Sequence, residues 1–160
     1  MAVDYLLKID GVPGESADDK HKGEIEVLSF SWGVSNLGPA GPGGGAAAGR
    51  ASFQDFHFVA RTSKASPKLF LACASGQHVP SALFTARRAG KPSIEFLKIK
   101  LREVLVSSFQ VGGSEPDEEP LDQVSLNFGK VEMEYRPVGL SGKLEAPIQA
   151  GWDVKKNKKL

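Results

Sequence analysis

The feature that most constrains the fold of this chain is a short alternation of apolar and polar residues that recurs along most of its length. A period of two places successive side chains on opposite faces of a β-strand, whereas an amphipathic helix needs a period near 3.6. Turn-forming glycines and prolines separate the alternating segments, as is typical of strands. The predicted strands lie near 3–10, 23–36, 51–61, 79–88, 93–111, 123–136 and 147–154.

Three of these segments change the phase of their alternation partway along. In 124–135 the apolar positions change from even to odd numbers at Gly129, and similar changes follow Val27 and Phe96. An extra residue at a glycine is how a β-bulge forms, and bulges bend and twist their strand. Long bent antiparallel strands favour a curved β-barrel of two packed sheets over a flat open sheet.

One short helix is predicted to flank the barrel. Ser66 suits the N-cap, Pro67 the first helical position, where its missing N–H costs nothing, and Gly76 the left-handed position that ends a helix. Residues 68–74 between them are apolar on nearly every side. Such a helix requires cover on more than one face, either wholly from its own domain or also from a neighbouring subunit.

Length and charge limit the classes of function. A chain of 160 residues with 41% apolar composition is predicted to form a single domain over 1–160 with its own core. Its 20 basic and 19 acidic side chains leave a net charge of +1, which argues against a nucleic-acid binder. The longest apolar run, 69–74, is too short for membrane insertion.

The N-terminus and the cysteine content favour folding in the cytoplasm. Asp4 and Lys8 interrupt the first residues, so they leave no room for the apolar core of a signal peptide. The single cysteine, Cys73, cannot form a disulfide within the chain, and its apolar neighbours indicate an inert core residue.

Three loops stand out by composition. Residues 37–50 are rich in glycine, proline and alanine, and we expect a flexible loop. A phosphate-binding loop is rejected there because a strand follows it rather than a helix. Residues 114–122 are acidic and predict a solvated turn, while the basic residues 155–160 predict a frayed tail or, as a second interpretation, a docking segment for an acidic partner.

Two groups of polar residues are candidates for catalytic or metal sites. Asp55 and His57 share one strand face and could form an acid–base pair or contribute to a metal site, but two ligands do not make a site. A histidine held by a neighbouring carboxylate is the preferred interpretation. Ser16, Asp18, Asp19 and His21 include the residue types of a serine nucleophile system, yet their position in one short loop favours turn-forming roles. No enzyme activity and no cofactor are predicted.

Several segments resemble one known family in the order expected for it. Gly11–Ile25 followed by Val27–Gly33 resembles the N-terminal signature of the haemolysin-coregulated protein (Hcp) family of bacterial type VI secretion systems. The signature loop includes Gly14, Glu15, Ser16, Asp18 and His21. The resemblance continues through Ser66–Leu69, Ile99–Ser108, Val124–Val131 and Gly151–Asp153.

This resemblance implies a structural protein rather than a catalyst. Family members are expected to form a six-membered ring with a wide channel, and rings are expected to stack into an inner tube inside a contractile sheath. The tube carries a spike and is expelled, and some members shelter small effectors in the channel. Assembly in the cytoplasm, followed by secretion through the type VI apparatus without a signal peptide, is therefore expected.

The candidate assembly residues lie in two segments. A ring of identical copies needs two unlike surfaces that fit each other, and the helix is one candidate contributor through Pro67, Lys68, Leu69 and Phe70. The candidate ring-stacking loop contains Gly38, Gly41, Gly43, Gly44, Gly45, Gly49 and Arg50. A monomeric β-barrel that binds a small ligand or carbohydrate is the alternative, and a metal enzyme using Asp55 and His57 is a distant third.

Overall fold

Twelve strands and one helix make up the regular structure of the computed structural model, which describes residues 2–38 and 49–160. The strands are β1 (Val3–Ile9), β2 (Ile25–Val27), β3 (Ser29–Ser31), β4 (Val34–Ser35), β5 (Ser52–Phe53), β6 (Phe56–Arg61), β7 (His78–Arg88), β8 (Ile94–Gly112), β9 (Leu121–Asn127), β10 (Lys130–Tyr135), β11 (Ile148–Asp153) and β12 (Lys158–Lys159). The helix is α1 (Ser66–Ser75). In this described part, no helix is long and apolar enough to cross a membrane.

The 19-residue strand β8 organises the sheet. One edge of β8 pairs with β7, which continues to β1 and β2. The other edge is shared: Leu97–Arg102 pairs with β10, and Leu105–Gly112 pairs with β9. From β9 the sheet continues to β6 and β3, and from β10 to β11 and β12. All these pairings are antiparallel, and β4 and β5 form a separate two-stranded sheet.

The ten-stranded sheet curls until its two ends meet at the consecutive strands β2 and β3. Between them, the N–H of Leu28 donates to the carbonyl of Val59 on β6 at 2.7 Å, although no continuous ladder joins β2 to β6 in the described residues. The barrel is therefore open at this seam. The predicted class, a curved antiparallel β-barrel of two sheets with a short flanking helix, is confirmed.

Aromatic side chains fill the centre of the barrel. Phe30 and Phe84 have ring centroids 4.3 Å apart, and Phe56 lies 5.4 Å from Phe84. Phe56, Phe58 and Ala60 alternate along β6 as its buried positions. The alternation from which the strand was predicted is therefore also the alternation of its core-facing side chains.

The change of phase at Gly129 is real, but the predicted bulge there is wrong. Arg102 pairs with Lys130 and Leu105 pairs with Asn127, so both chains have the same number of residues between these pairs. Neither strand carries an extra residue. Instead, the side chains of both strands switch to the opposite face of the sheet at the same place, where Glu103 adopts a left-handed φ of 53° opposite Gly129. The N–H of Gly129 is shared by the carbonyls of Arg102 at 3.0 Å and Glu103 at 3.2 Å.

The other two phase changes have different structures. After Ala86 pairs with Leu97, Arg87 pairs with Glu95, which leaves Phe96 as the extra residue of a bulge, as predicted. The change after Val27 is a change of partner strand at Leu28. A further register shift, with Ser107 as the extra residue, was not predicted.

The helix begins one residue before its predicted start. Ala65 is the N-cap and Ser66 is already helical, so the N-cap assignment to Ser66 is wrong. The Ser66 hydroxyl instead donates to the Asp122 carboxylate and accepts the N–H of Ser63. Gly76 ends the helix with a φ of 66°, as predicted.

The predictions about the acidic segment 114–122 and the basic segment 155–160 both need correction. Asp122 is not part of a solvated turn: it is buried at the start of β9, where Thr62 also donates to it at 2.8 Å. The predicted frayed tail instead forms a hairpin, in which Lys158 pairs with Asp153 and Lys159 with Trp152.

Candidate assembly surfaces

An ion-pair network fastens the loop between β1 and β2. Asp18 accepts from the guanidinium of Arg87 and from the backbone N–H groups of Lys20 and His21. The hydrogen bond from Arg87 is the main reason that the pKa of Asp18 lies well below its usual range. Reciprocally, Asp18 and then Asp4, 3.3 Å away, raise the pKa of Arg87.

His21 joins the same loop to β8. Its Nδ1 lies 2.7 Å from Oε2 of Glu24, and its Nε2 lies 2.6 Å from Oε1 of Glu95. Burial alone raises the pKa of Glu95, but the hydrogen bond to His21 and the charge of Lys98 outweigh it, so the net shift is downward. The loop is therefore attached to the barrel at two separate points.

The remaining signature residues shape the turn. A Cβ on Gly14 would lie 2.5 Å from the carbonyl oxygen of Glu24, so only glycine fits without movement of the backbone. Ser16 Oγ accepts the N–H of Asp18 at 3.2 Å, and Glu15 accepts the N–H of Lys64 at 3.2 Å. The turn-forming interpretation of Ser16 and Asp18 is confirmed.

Asp55 and His57 do not form a pair. Asp55 accepts from Ser107 at 2.6 Å and from Asn127 at 3.0 Å, whereas His57 lies 3.1 Å from Ser125 Oγ. The prediction of a carboxylate-held histidine is therefore wrong, because hydroxyls and an amide from β8 and β9 reach these side chains first. Within residues 2–38 and 49–160, no three His, Cys, Asp or Glu side chains come together as a metal site would require.

The helix exposes one apolar strip. Leu69 is only 2% exposed and packs into its own core, so it is unavailable to a neighbouring copy. Phe70 and Leu71 are 58% and 61% exposed, and the Phe70 ring lies 6.4 Å from that of Phe109 on β8. We call Phe70 and Leu71 the helix surface. Pro67 and Lys68 are exposed beside it, and Cys73 is half-buried.

A second exposed apolar surface was not recognised in the sequence. Strands β10 and β11 branch from the barrel at β8, and one of their faces is apolar along its whole length. We call it the wing face; its cross-strand pairs are Val131 with Trp152, Met133 with Ala150, and Tyr135 with Ile148. Burial is complete at Val131, but Met133 is 40% and Ile148 66% exposed. The alternation was visible, but the sequence did not show which element covers it.

The inner end of the wing face forms a groove with the β4–β5 hairpin. The groove has a volume of about 370 Å³. Trp32 stacks on Phe53 with 6.4 Å between ring centroids on one wall, and Trp152 lies on the other. Met133 and Ala150 complete the lining of the groove. It is an open apolar site on the surface of the barrel.

The candidate stacking loop leaves from this hairpin. Asn36 Nδ2 donates to the carbonyl of Gly49 at 2.6 Å, and its Oδ1 accepts the N–H of Gly38 at 2.9 Å. Arg50 donates to the carbonyls of Val154 and Lys155 at 3.3 and 3.4 Å, which ties the base of the loop to the turn before β12. Gly41, Gly43, Gly44 and Gly45 lie outside the described residues.

The fold and these surfaces define a class: a β-barrel protein with unlike exposed apolar surfaces on its wing and on its helix. The family model described as type VI secretion system effector, Hcp, matches residues 6–135. The chain therefore belongs to the Hcp family. This is a family of structural and secreted proteins of type VI secretion, not a known enzyme family.

Similarity to individual proteins extends over nearly the whole chain. Protein hcp1 of Pseudomonas aeruginosa is 43% identical over 159 residues, with 98% of both proteins covered. Among solved structures, Hcp1 of Salmonella typhimurium is 38% identical with a TM-score of 0.82, and 100% of both chains is covered. A structure described as a type six secretion system protein is 33% identical with a TM-score of 0.92, covering 99% of this chain and 100% of that one.

Proposed function

We propose that this protein is the ring-forming subunit of a type VI secretion inner tube. The observation that carries the proposal is the presence of two unlike exposed apolar surfaces, the wing face and the helix surface, on a chain of the Hcp family. Patches of this kind on a soluble domain mark interaction sites. A ring needs such a pair, because each copy must present one surface to one neighbour and a different surface to the other.

One edge of the wing can form main-chain hydrogen bonds with another copy. Lys158 and Lys159 of β12 pair with Asp153 and Trp152 of β11, and the N–H of Leu160 donates to the carbonyl of Gly151 at 3.1 Å. Among the described residues, the preceding stretch of β11, residues 148–150, is therefore an edge. An edge strand invites main-chain pairing with another chain, and placing it inside a closed ring removes that hazard. A ring interface of this kind buries on the order of 2,000 Å² or more.

The proposal extends from the ring to the tube. Stacked rings are joined through the 37–50 loop, and the tube meets spike and sheath proteins and shelters small effectors. The role of the loop is supported by its base, which Arg50 attaches to the β11–β12 turn. Assembly takes place in the cytoplasm, and the tube leaves through the type VI apparatus. The protein performs no catalysis.

Mass and shape measured on the pure protein test the proposal. Light scattering coupled to size exclusion is expected to give about six times the chain mass of 17.1 kDa. Negative-stain images are expected to show annular particles. A single-chain mass at micromolar concentration contradicts the ring, and would favour the alternative, in which the Trp32–Trp152 groove binds a ligand of a monomeric barrel.

A further inference from the structure

The buried side chain of His21 lies between two carboxylates. Its Nδ1 is 2.7 Å from Oε2 of Glu24, and its Nε2 is 2.6 Å from Oε1 of Glu95. A neutral imidazole has one N–H, so its other nitrogen is an acceptor, as a carboxylate oxygen is. Two acceptors at such a distance repel each other. Both contacts are therefore hydrogen bonds only when the ring carries a proton on each nitrogen.

The charges around the ring balance only with this second proton. Glu24 and Glu95 bring two negative charges to His21, and Lys98 supplies one positive charge through its Nζ, 3.4 Å from Glu95. The protonated ring supplies the other. Although burial opposes it, the hydrogen bond to His21 lowers the pKa of Glu95, so this carboxyl is ionised. Loss of the ring proton would leave an unbalanced negative charge in a largely buried cluster, which is costly.

The other charged groups near His21 form a second attachment of the same loop. Asp18 accepts the main-chain N–H of His21 at 3.2 Å and a hydrogen bond from Nη1 of Arg87 on β7 at 2.9 Å. Arg87 also contacts Asp4 on β1 at 3.3 Å. Aspartate and arginine keep their charges across neutral and mildly alkaline pH. This second attachment therefore does not change when His21 gains or loses a proton.

The two attachments hold opposite strands of one hairpin. Arg87 on β7 and Glu95 on β8 are cross-strand partners, and residues 89–93 connect the two strands beyond them. Asp18 holds the β7 side of the hairpin, and His21 holds the β8 side. The ladder is interrupted at the bulge residue Phe96, next to Glu95, so the start of β8 is less firmly held by main-chain pairing.

We propose that His21, with Glu24 and Glu95, forms a proton-dependent latch between the signature loop and the β7–β8 hairpin. When the ring carries two protons, the latch is closed, as in this structure. When the ring loses one proton, its remaining N–H serves only one of the two carboxylates, and the loop separates from the start of β8. Asp18 still holds the loop to β7. All groups of the latch belong to one chain, so the device does not depend on the proposed assembly.

Hydrogen exchange measured by mass spectrometry follows both parts of the latch in the intact protein. Exchange at the ring carbon between the two nitrogens reports the protonation of each histidine, and exchange of main-chain amides reports local opening. The titration runs from about pH 6, where glutamates are ionised, to about pH 9. We expect amides of 10–24 and 89–96 to exchange about tenfold faster, relative to their intrinsic rates, once His21 has lost its second proton. Strand β6 is the internal reference and should keep its protection.

Three variants separate the proton from the packing. His21→Gln takes up no proton in this range, so exchange in 10–24 and 89–96 is expected to lose its dependence on pH. His78→Gln removes an exposed histidine and is the matched control, expected to keep that dependence. Glu95→Gln removes a carboxylate that stabilises the charged ring, so loss of the ring proton and opening of the loop are expected to move together to lower pH.

Two results would overturn the latch. One is constant protection of 10–24 and 89–96 while the ring of His21 titrates, and the other is a pH-dependent opening that persists in His21→Gln. Urea unfolding checks that each variant retains the barrel, and Glu95→Gln carries the same test if His21→Gln does not fold. A single-chain mass in light scattering would contradict the proposed ring and leave the latch unaffected.

Discussion

At the scale of single residues, the signature loop depends on charge. Asp18 satisfies two backbone N–H groups of its own loop and the guanidinium of Arg87 on β7. Because its pKa is lower in the folded protein than in the unfolded chain, Asp18 contributes stability above the unfolded value, near 3.9. This contribution is lost as the pH falls below that value.

Asp18→Asn is therefore expected to lower the urea midpoint at pH 7. The difference from the unmodified protein should shrink as the pH is lowered through about 4, where the carboxylate of the unfolded chain also becomes protonated. Asp19→Asn, at the exposed neighbouring position, is the matched control and should leave the midpoint unchanged. Equal effects of the two variants at pH 7 would contradict the role of the Asp18–Arg87 pair.

Gly14→Ala tests the closest backbone approach in the loop. The added Cβ would meet the carbonyl of Glu24 at 2.5 Å, and a backbone atom cannot move away as a flexible side chain can. We expect a loss of about 1–3 kcal/mol in the free energy of unfolding, the usual range for overpacking. Gly113→Ala is the control, because its Cβ would make an ordinary 3.7 Å contact with Pro120. Denaturant titrations of both variants measure the difference.

At the scale of elements, the sequence predicts what nearby residues determine. The helix end at Gly76 and the bulge at Phe96 were both predicted, because a left-handed glycine and a broken alternation are local signals. The role of Ser66 was not, because its partner Asp122 is 56 positions away along the chain. Gly129 was misassigned for the same reason: whether a phase change is a bulge depends on what the opposite strand does.

The candidate assembly site was also only partly predictable. The helix was recognised, but its exposed residues are set by how it packs on β8, which its nearly uniform apolar sequence does not reveal. The wing face could not be predicted because residues 136–147 separate its two strands, and the sequence does not show that Tyr135 pairs with Ile148. Alternation identifies the two faces of a strand, but only the tertiary arrangement decides which apolar face stays uncovered.

Substitutions at two nearby leucines of α1 distinguish a role in folding from a role in assembly. Leu69→Ala removes a buried side chain and is expected to lower the free energy of unfolding by about 2–5 kcal/mol. Leu71→Ala removes an exposed one and should leave unfolding nearly unchanged while weakening the association of copies. Chemical unfolding and light scattering on both variants give the two readouts. A Leu71→Ala ring of undiminished stability would exclude the helix surface from the interface.

At the scale of the whole molecule, the helix surface and the stacking loop belong to different elements. The helix surface lies on α1, whereas the 37–50 loop leaves from the β4–β5 hairpin and its base is tied to the β11–β12 turn by Arg50. Ring contacts through the helix surface and ring stacking through the loop should therefore respond separately to substitution.

Replacing Gly38–Gly49 with a short turn is expected to leave the ring intact and to weaken the stacking of rings. The flanking pairs of Val34 with Phe53 and Ser35 with Ser52 remain available to hold the shortened hairpin. Electron microscopy of concentrated protein compares tube length, and light scattering confirms the ring. Tubes of unchanged length would refute the stacking role of the loop.

The difference between the wing face and the helix surface has a consequence for mixtures of unmodified copies and copies that lack one of these surfaces. A copy that has lost one of the two still binds a neighbour through the other, and then stops the growing arc. Such a copy therefore blocks the assembly of the unmodified copies that bind it. In the proposed ring of about six copies, one defective copy in ten leaves roughly half of all rings incomplete. In a cell that makes both forms, the number of complete rings would fall more steeply than the fraction of unmodified protein.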